Sequence, residues 1–264
     1  MHEQRSIWWA HARWPIPAFV VLATLLESTH LDRTLAAAWY FDPAHHSWIG
    51  ADAIWANAIV HTGGGWAIRS IAALALLVWA GSLCLPALHR MSRTTAFILV
   101  SMALSIGLVG VLKQLSNIDC PWDLQEFGGR FPFVPLLADR PDSLRPAHCF
   151  PAAHASSGFT LVVFYFALRE HHAGWARWAL WMSVLVGLVF GIAQQARGAH
   201  FLSHDVWSAF LVWVTTLSVY VFGFGATLAQ VPCPRIRTAP NAIALDNQCV
   251  SACNAAHGTA ASPS

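Results

Sequence analysis

Three short polar clusters stand at the edges of long apolar runs in this chain, and each carries groups able to bind or transfer a phosphoryl unit. The first is Lys113-Gln114-Leu115-Ser116-Asn117-Ile118-Asp119-Cys120-Pro121. The second is Cys149-Phe150-Pro151-Ala152-Ala153-His154, and the third runs from Arg197 through His200 to His204 and Asp205. Fixed cations such as Lys113 and Arg197 at helix ends, facing the unpaired backbone N–H groups of a helix start, make an anion site. Pro151 is tolerated just ahead of a helix, and the small side chains of Ala152 and Ala153 let the backbone approach a ligand. A neutral imidazole can attack phosphorus, and a protonated one can pass its proton to a leaving alkoxide. His200 and His154 therefore supply both halves of a two-step transfer.

The elements that must bring these clusters together are membrane helices. Of 264 residues, 56% are hydrophobic and only 11% charged, against roughly a quarter charged in soluble domains. A formal charge of +2 and the absence of basic runs exclude nucleic acid as a partner. Several of the 14 tryptophans, including Trp14, Trp66, Trp175 and Trp178, sit at the ends of apolar runs, where an amphipathic ring prefers the headgroup level. Apolar runs near 15–26, 66–88, 94–115, 155–168, 178–196 and 204–226 predict an all-α bundle of six transmembrane helices over residues 1–226. Residues 227–264 read as a disordered cytoplasmic tail. The first run ends in Glu27-Ser28-Thr29-His30 rather than a small-x-small site, which favours an uncleaved anchor. Residues 31–65 mix Trp, His and Asp with Ala and end in Gly63-Gly64-Gly65, the pattern of an interfacial or extramembrane segment rather than a spanning one.

If the helices alternate, the pairs Arg5/Arg13, Arg90/Arg93, Arg169/Arg177 and Arg235/Arg237 fall on one side, which the positive-inside rule makes cytoplasmic. All three clusters then lie together on the outer side. Cys120 and Cys149 end the same outer loop and are placed to pair in an oxidising compartment, closing about thirty residues and contributing about 3 kcal/mol. Cys84 reads as core, and Cys233, Cys249 and Cys253 as free thiols of the tail.

In order and topology, the clusters resemble the three signature motifs of the type 2 phosphatidic acid phosphatase (PAP2) superfamily, which are Lys-x6-Arg-Pro, Pro-Ser-Gly-His and Ser-Arg-x5-His-x3-Asp. The resemblance implies that His200 is the nucleophile that becomes phosphorylated, His154 the general acid and Lys113 a phosphate-binding cation. Arg197 and the backbone near Ala153 are expected to hold the phosphate oxygens. It further implies a lipid phosphate or lipid pyrophosphate substrate, hydrolysed at the outer face of a bacterial inner membrane with both termini cytoplasmic. Neither metal nor cofactor is expected, and no obligate protein partner. A lipid-to-lipid phosphotransferase and an inactive lipid-binding relative are the alternatives within the same fold.

The chain departs from the motifs at particular positions. Cys120 replaces the first arginine, Ala152 and Ala153 replace Ser and Gly, and Ala193-Gln194 replace Ser-Arg, with Arg197 three residues later. His204 takes the place of the orienting aspartate and Asp205 follows it, so either is a candidate to hold His200. Arg130, Arg140 and Arg145 of the outer loop are candidates for the missing positive charge. His61, before the triple glycine, faces the outer side and is placed to approach the site, with a structural role favoured. His200 and His204 have the i, i+4 spacing of a zinc pair, yet the sequence offers no third ligand beyond Asp205.

Overall fold

The computed structural model describes residues 2–225 apart from Leu137. The expected tail, with Cys233, Cys249 and Cys253, lies outside the described residues. The described residues are all-α, with one two-stranded ribbon. Helices α1 (His2–Ala12), α2 (Pro15–Ser28) and α3 (Leu31–Trp39) lead to strands β1 (Phe41–Asp42) and β2 (Ser47–Trp48). A π-helical segment, Trp55–Gly63, then runs directly into α4 (Gly64–Cys84), and a 3-10 segment, Pro86–Met91, into α5 (Ser92–Leu115). After the long loop come α6 (Ala153–Phe159), α7 (Val162–Leu168), α8 (Ala173–Ala196) and α9 (Leu202–Val219), which ends in a π-turn, Tyr220–Phe224.

Among the described residues four helices are long and apolar enough to cross a bilayer: Trp55–Cys84, Pro86–Leu115, Ala173–Ala196 and Leu202–Phe224. Their sequences are apolar on nearly every face, as a helix solvated by lipid must be. Leu74, Leu77, Val111, Leu115, Trp178 and Trp181 are each more than half exposed, an outer surface that water would not tolerate and hydrocarbon would cover. Of the six expected spans, α2 has 14 residues and the α6–α7 segment Ala153–Leu168 is likewise shorter than a hydrocarbon core requires.

The core lies where α5, α6, α7, α8 and α9 meet, around Phe97, Phe166, Val163, Val212, Leu217 and Tyr220. Between α6 and α7 the hydroxyls of Ser156, Ser157 and Thr160 donate back to the carbonyls of Ala153, His154 and Ser157 at 2.6–2.7 Å. Such back-bonding competes with the helical ladder and bends it. At the end of the bundle remote from the three motifs, His11 of α1 meets the Tyr165 hydroxyl at 2.9 Å and Arg169 at 3.0 Å. These contacts anchor α1 to the bundle.

Two expectations give way here. The triple glycine does not close an interfacial or extramembrane segment, because Gly63-Gly64-Gly65 lies within one continuous helical run. Close packing explains it: a Cβ on Gly64 would strike the Phe190 ring at 2.5 Å, so glycine is what lets α8 lie against this helix. The interfacial region therefore ends near residue 54. Cys84, expected in the core, is exposed on the last turn of α4, since that helix buries only a narrow stripe including Ile68, Ala75 and Ser82.

Candidate active site

Chain punctuation at the end of α8 sets the position of His200. Gly198 adopts φ +73°, the left-handed conformation that suits glycine. Its N–H donates to the Gln195 carbonyl and that of Ala199 to the Gln194 carbonyl, both at 2.9 Å, which is the Schellman ending of a helix. The Gly50 N–H donates to the Ala196 carbonyl at 2.8 Å, and the Gly198 carbonyl accepts from Trp122 N–H at 2.9 Å. Trp48 packs directly over Gly198, where any Cβ would overlap the indole. The ribbon and the long loop thus both clamp this corner. Asp32 of α3 completes it, with Oδ1 accepting from the Ser203 N–H at 3.0 Å, a carboxylate on the first turn of α9.

His200 follows immediately and is 6% exposed. Its Nδ1 lies 3.2 Å from Nδ1 of His204, and the Cys149 backbone carbonyl bonds the same two rings. In that contact one Nδ1 donates and the other accepts. Burial pushes His200 well below its ordinary value of 6.5, and the charges of His204 and Lys113 push it the same way, so at neutral pH the ring is neutral. Lys113, half-buried on the last turn of α5, is near enough for its charge to act on both histidines.

Asp205 and His204 are adjacent yet face opposite ways, because successive helix residues turn by about 100°. The Asp205 carboxylate points between α8 and α9, where Oδ2 accepts from Gln195 Nε2 at 2.7 Å, and Gly191 leaves room for it. Of the two candidates to hold His200, His204 is therefore the one in contact. The His204 ring is itself held edge-on by Phe150, with centroids 5.2 Å apart, and by Phe201 at 5.7 Å.

His154, on the first turn of α6, stacks on Phe190 with ring centroids 4.4 Å apart. Its Nε2 donates to the Val60 carbonyl at 3.3 Å, inside the π-helical segment, a local distortion often found at functional sites. Its ring and that of His200 interact electrostatically, as do His154 and Arg197. Arg197 is steered by a 2.8 Å bond from Nη1 to Gln194 Oε1. Ala153 opens α6, and Ala152 beside it is wholly buried, its carbonyl accepting from the Ser208 hydroxyl at 3.0 Å.

The loop between the first two motifs is closed by a disulfide between Cys120 and Cys149, with Cα atoms 5.2 Å apart. The Cys149 Sγ lies 3.9 Å from His200 Nδ1, so the bridge reaches the site itself. Two of the three outer-loop arginines are engaged by carboxylates of their own loop. Arg140 is buried in a two-pronged pair with Asp119 at 2.5 and 3.0 Å, and Arg145 pairs with Asp123 at 2.9 Å. Arg130 is tied at its backbone, its N–H to Asp123 and its carbonyl to Gln125.

His61, for which a structural role was favoured, and Arg69, which the sequence reading missed, stand beside His154. The His61 ring centroid is 4.8 Å from that of His154. Arg69 approaches from α4: a Cβ placed on Gly65 would lie 3.8 Å from Arg69 Nη1 and 3.9 Å from His154 Cε1. The available signal was helical spacing, since residues 61, 65 and 69 share one face once the glycines are read as helix.

The structure thus gathers Lys113, His154, Arg197, His200 and His204 from four helix ends and the α8–α9 link into one site. A family model described as the PAP2 superfamily matches residues 94–227, which contain all three clusters. No curated protein and no solved structure matches the chain. With half its length matched and the motif residues assembled in one place, the chain belongs to the PAP2 superfamily.

Proposed function

We propose that this protein is an integral-membrane lipid phosphatase that works through a phosphohistidine at His200. The superfamily consists of phosphatases and related phosphoesterases. The observation that carries the reading is the His200–His204 contact at 3.2 Å. It occupies Nδ1 of a buried imidazole and leaves Nε2 to attack phosphorus. In the proposed cycle Nε2 forms the N–P bond as the bond to the lipid oxygen breaks, and His154 gives that oxygen its proton. Water, deprotonated by His154, then displaces the histidine and releases inorganic phosphate. Lys113, Arg197 and backbone N–H groups near Ala153 hold the phosphoryl oxygens, where charge grows in the transition state. His204 acts as a positioning residue for His200. Asp205 has a support role through Gln195.

The arginine distribution supports placing the site on the outer face of an inner membrane, with the N-terminus cytoplasmic. The testing experiment is phosphate release from a panel of phosphorylated lipids by the purified protein and by His200→Ala. The reading expects release that requires His200. Label transferred intact to a second lipid would make the protein a phosphotransferase instead, and release undiminished in H200A would sink the mechanism.

A further inference from the structure

On the face of α9 turned away from His200, a cavity of about 270 Å³ opens between α8 and α9. Leu180, Val184 and Leu188 line it from α8, and Val206, Val212 and Trp213 from α9. Leu188 is 45% exposed on the hydrocarbon-facing surface, so a lipid chain can enter from the side. Three polar side chains share this wall. Two are committed, because Ser183 Oγ donates to the Phe159 carbonyl at 2.8 Å and Trp213 Nε1 to the His11 carbonyl at 3.0 Å. The third is Asp205, 4% exposed, whose Oδ2 is taken by Gln195 and whose Oδ1 has no hydrogen-bond partner. A buried oxygen left without a partner needs an explanation, and an ionisable side chain within a membrane span marks a functional site.

We propose that this cavity is a second lipid site, separate from the phosphate site, whose occupant is an uncharged lipid alcohol. Its hydroxyl pairs with Asp205 Oδ1 and its chain lies between α8 and α9. Asp205 stands on the first turn of α9 and Trp213 eight residues further on, a drop of about 12 Å at 1.5 Å per residue. A polar head then sits at the end of the span that carries the motifs and a tail inside the hydrocarbon, the posture a lipid alcohol already holds in a leaflet. A hydroxyl both donates and accepts, so it satisfies Oδ1 in either protonation state of the carboxyl. An ammonium brings three N–H donors to a wall with one open oxygen, and the rest stay unpaired in hydrocarbon. An anionic head group meets like charge from Asp205 and from Asp32, which acts on the same carboxyl. A plain acyl chain fills the apolar wall and leaves Oδ1 unpaired.

The test is photocapture by the purified full chain in phosphatidylcholine nanodiscs, with hexadecanol carrying a diazirine on its chain as the probe. Label is expected on the α8 and α9 peptides that line the cavity, located by mass spectrometry. Unlabelled hexadecanol is expected to displace it about tenfold more effectively than hexadecane, hexadecylamine or palmitate, the discrimination of one buried hydrogen bond. Ala209→Phe, which fills the cavity from α9, is expected to abolish capture. Asp205→Leu is expected to lower it about tenfold and to erase the preference for the alcohol. Melting curves identify a variant that does not fold, and the competition in wild type then decides alone. Equal displacement by hexadecane overturns the proposal in favour of a groove that any chain fills, and stronger displacement by the amine or by palmitate in favour of a charged ligand. Label elsewhere on the protein, capture unchanged in folded A209F, or an alcohol preference that survives in folded D205L also overturns it.

Discussion

Replacing His204 tests how the nucleophile is held. When His200 carries a phosphoryl group on Nε2 its ring is cationic, and Nδ1–H must donate to an acceptor within a site where the residue is only 6% exposed. A hydrogen bond to a charged donor contributes about 1.5–3 kcal/mol, which corresponds to roughly ten- to two-hundredfold in rate. Because the Cys149 carbonyl also bonds this ring, His204→Ala retains one acceptor and its loss falls at the low end. The expected outcome is a fall in kcat of about ten- to thirtyfold with KM changed little, since the bond matters most once charge has formed. His204→Asp places a carboxylate where the superfamily motif has one, with Lys113 near enough to balance it, and is expected to keep kcat close to wild type. Phosphate release measured over a range of lipid concentrations, with tryptophan fluorescence melts to establish folding, gives both numbers. A folded H204A with kcat within about twofold of wild type, or a defect confined to KM, would refute the positioning role.

Two further perturbations reach the same site from other directions. Gly198→Ala sets a Cβ residue at φ +73° against the buried Trp48 ring, combining about 1–2 kcal/mol of left-handed strain with about 1–3 kcal/mol of overpacking. A lower melting temperature and a reduced kcat should appear together, and a variant as stable as wild type would contradict the described corner. His200 is held below its ordinary 6.5 by burial, so between that value and the folded one the unfolded chain binds more protons than the folded chain. Stability from this group is accordingly full above about pH 6.5 and falls as pH drops below it. Nucleophile activity persists below pH 6.5 for the same reason. Melts from pH 7.5 to 5 on wild type and His200→Gln, the latter with a flatter profile, check the sign.

Much of the site was legible in the sequence because its chemistry is written in local spacing. Lys113, His154 and His200 each sit where an apolar run meets polar residues, and the motif offsets survive substitutions such as Cys120 and Ala153. What linear reading lacked was rotation about a helix. His204 and Asp205 are neighbours in sequence and look equivalent, yet one faces His200 and the other Gln195. Gly63-Gly64-Gly65 reads as the end of an interfacial or extramembrane segment when composition alone is weighed, because the Phe190 ring that packs against it comes from more than a hundred residues away. Taking that stretch as the end of a non-spanning segment hid the helix face that joins Arg69 to His61. Arg140 and Arg145 of the outer loop looked available for phosphate because their partners Asp119 and Asp123 were counted only as charge. Long-range pairing, which composition does not encode, decided which cations remain free for a ligand.

The central claim is tested most directly by catching the covalent intermediate. Purified protein mixed with a lipid labelled with 32P in its terminal phosphate, quenched in alkali within the first turnovers, should carry protein-bound label. That label should be stable to base, labile to acid and located at His200 by peptide mass spectrometry, and H200A should carry none. Stable label on another residue, or phosphate release by H200A at the wild-type rate, would contradict the account.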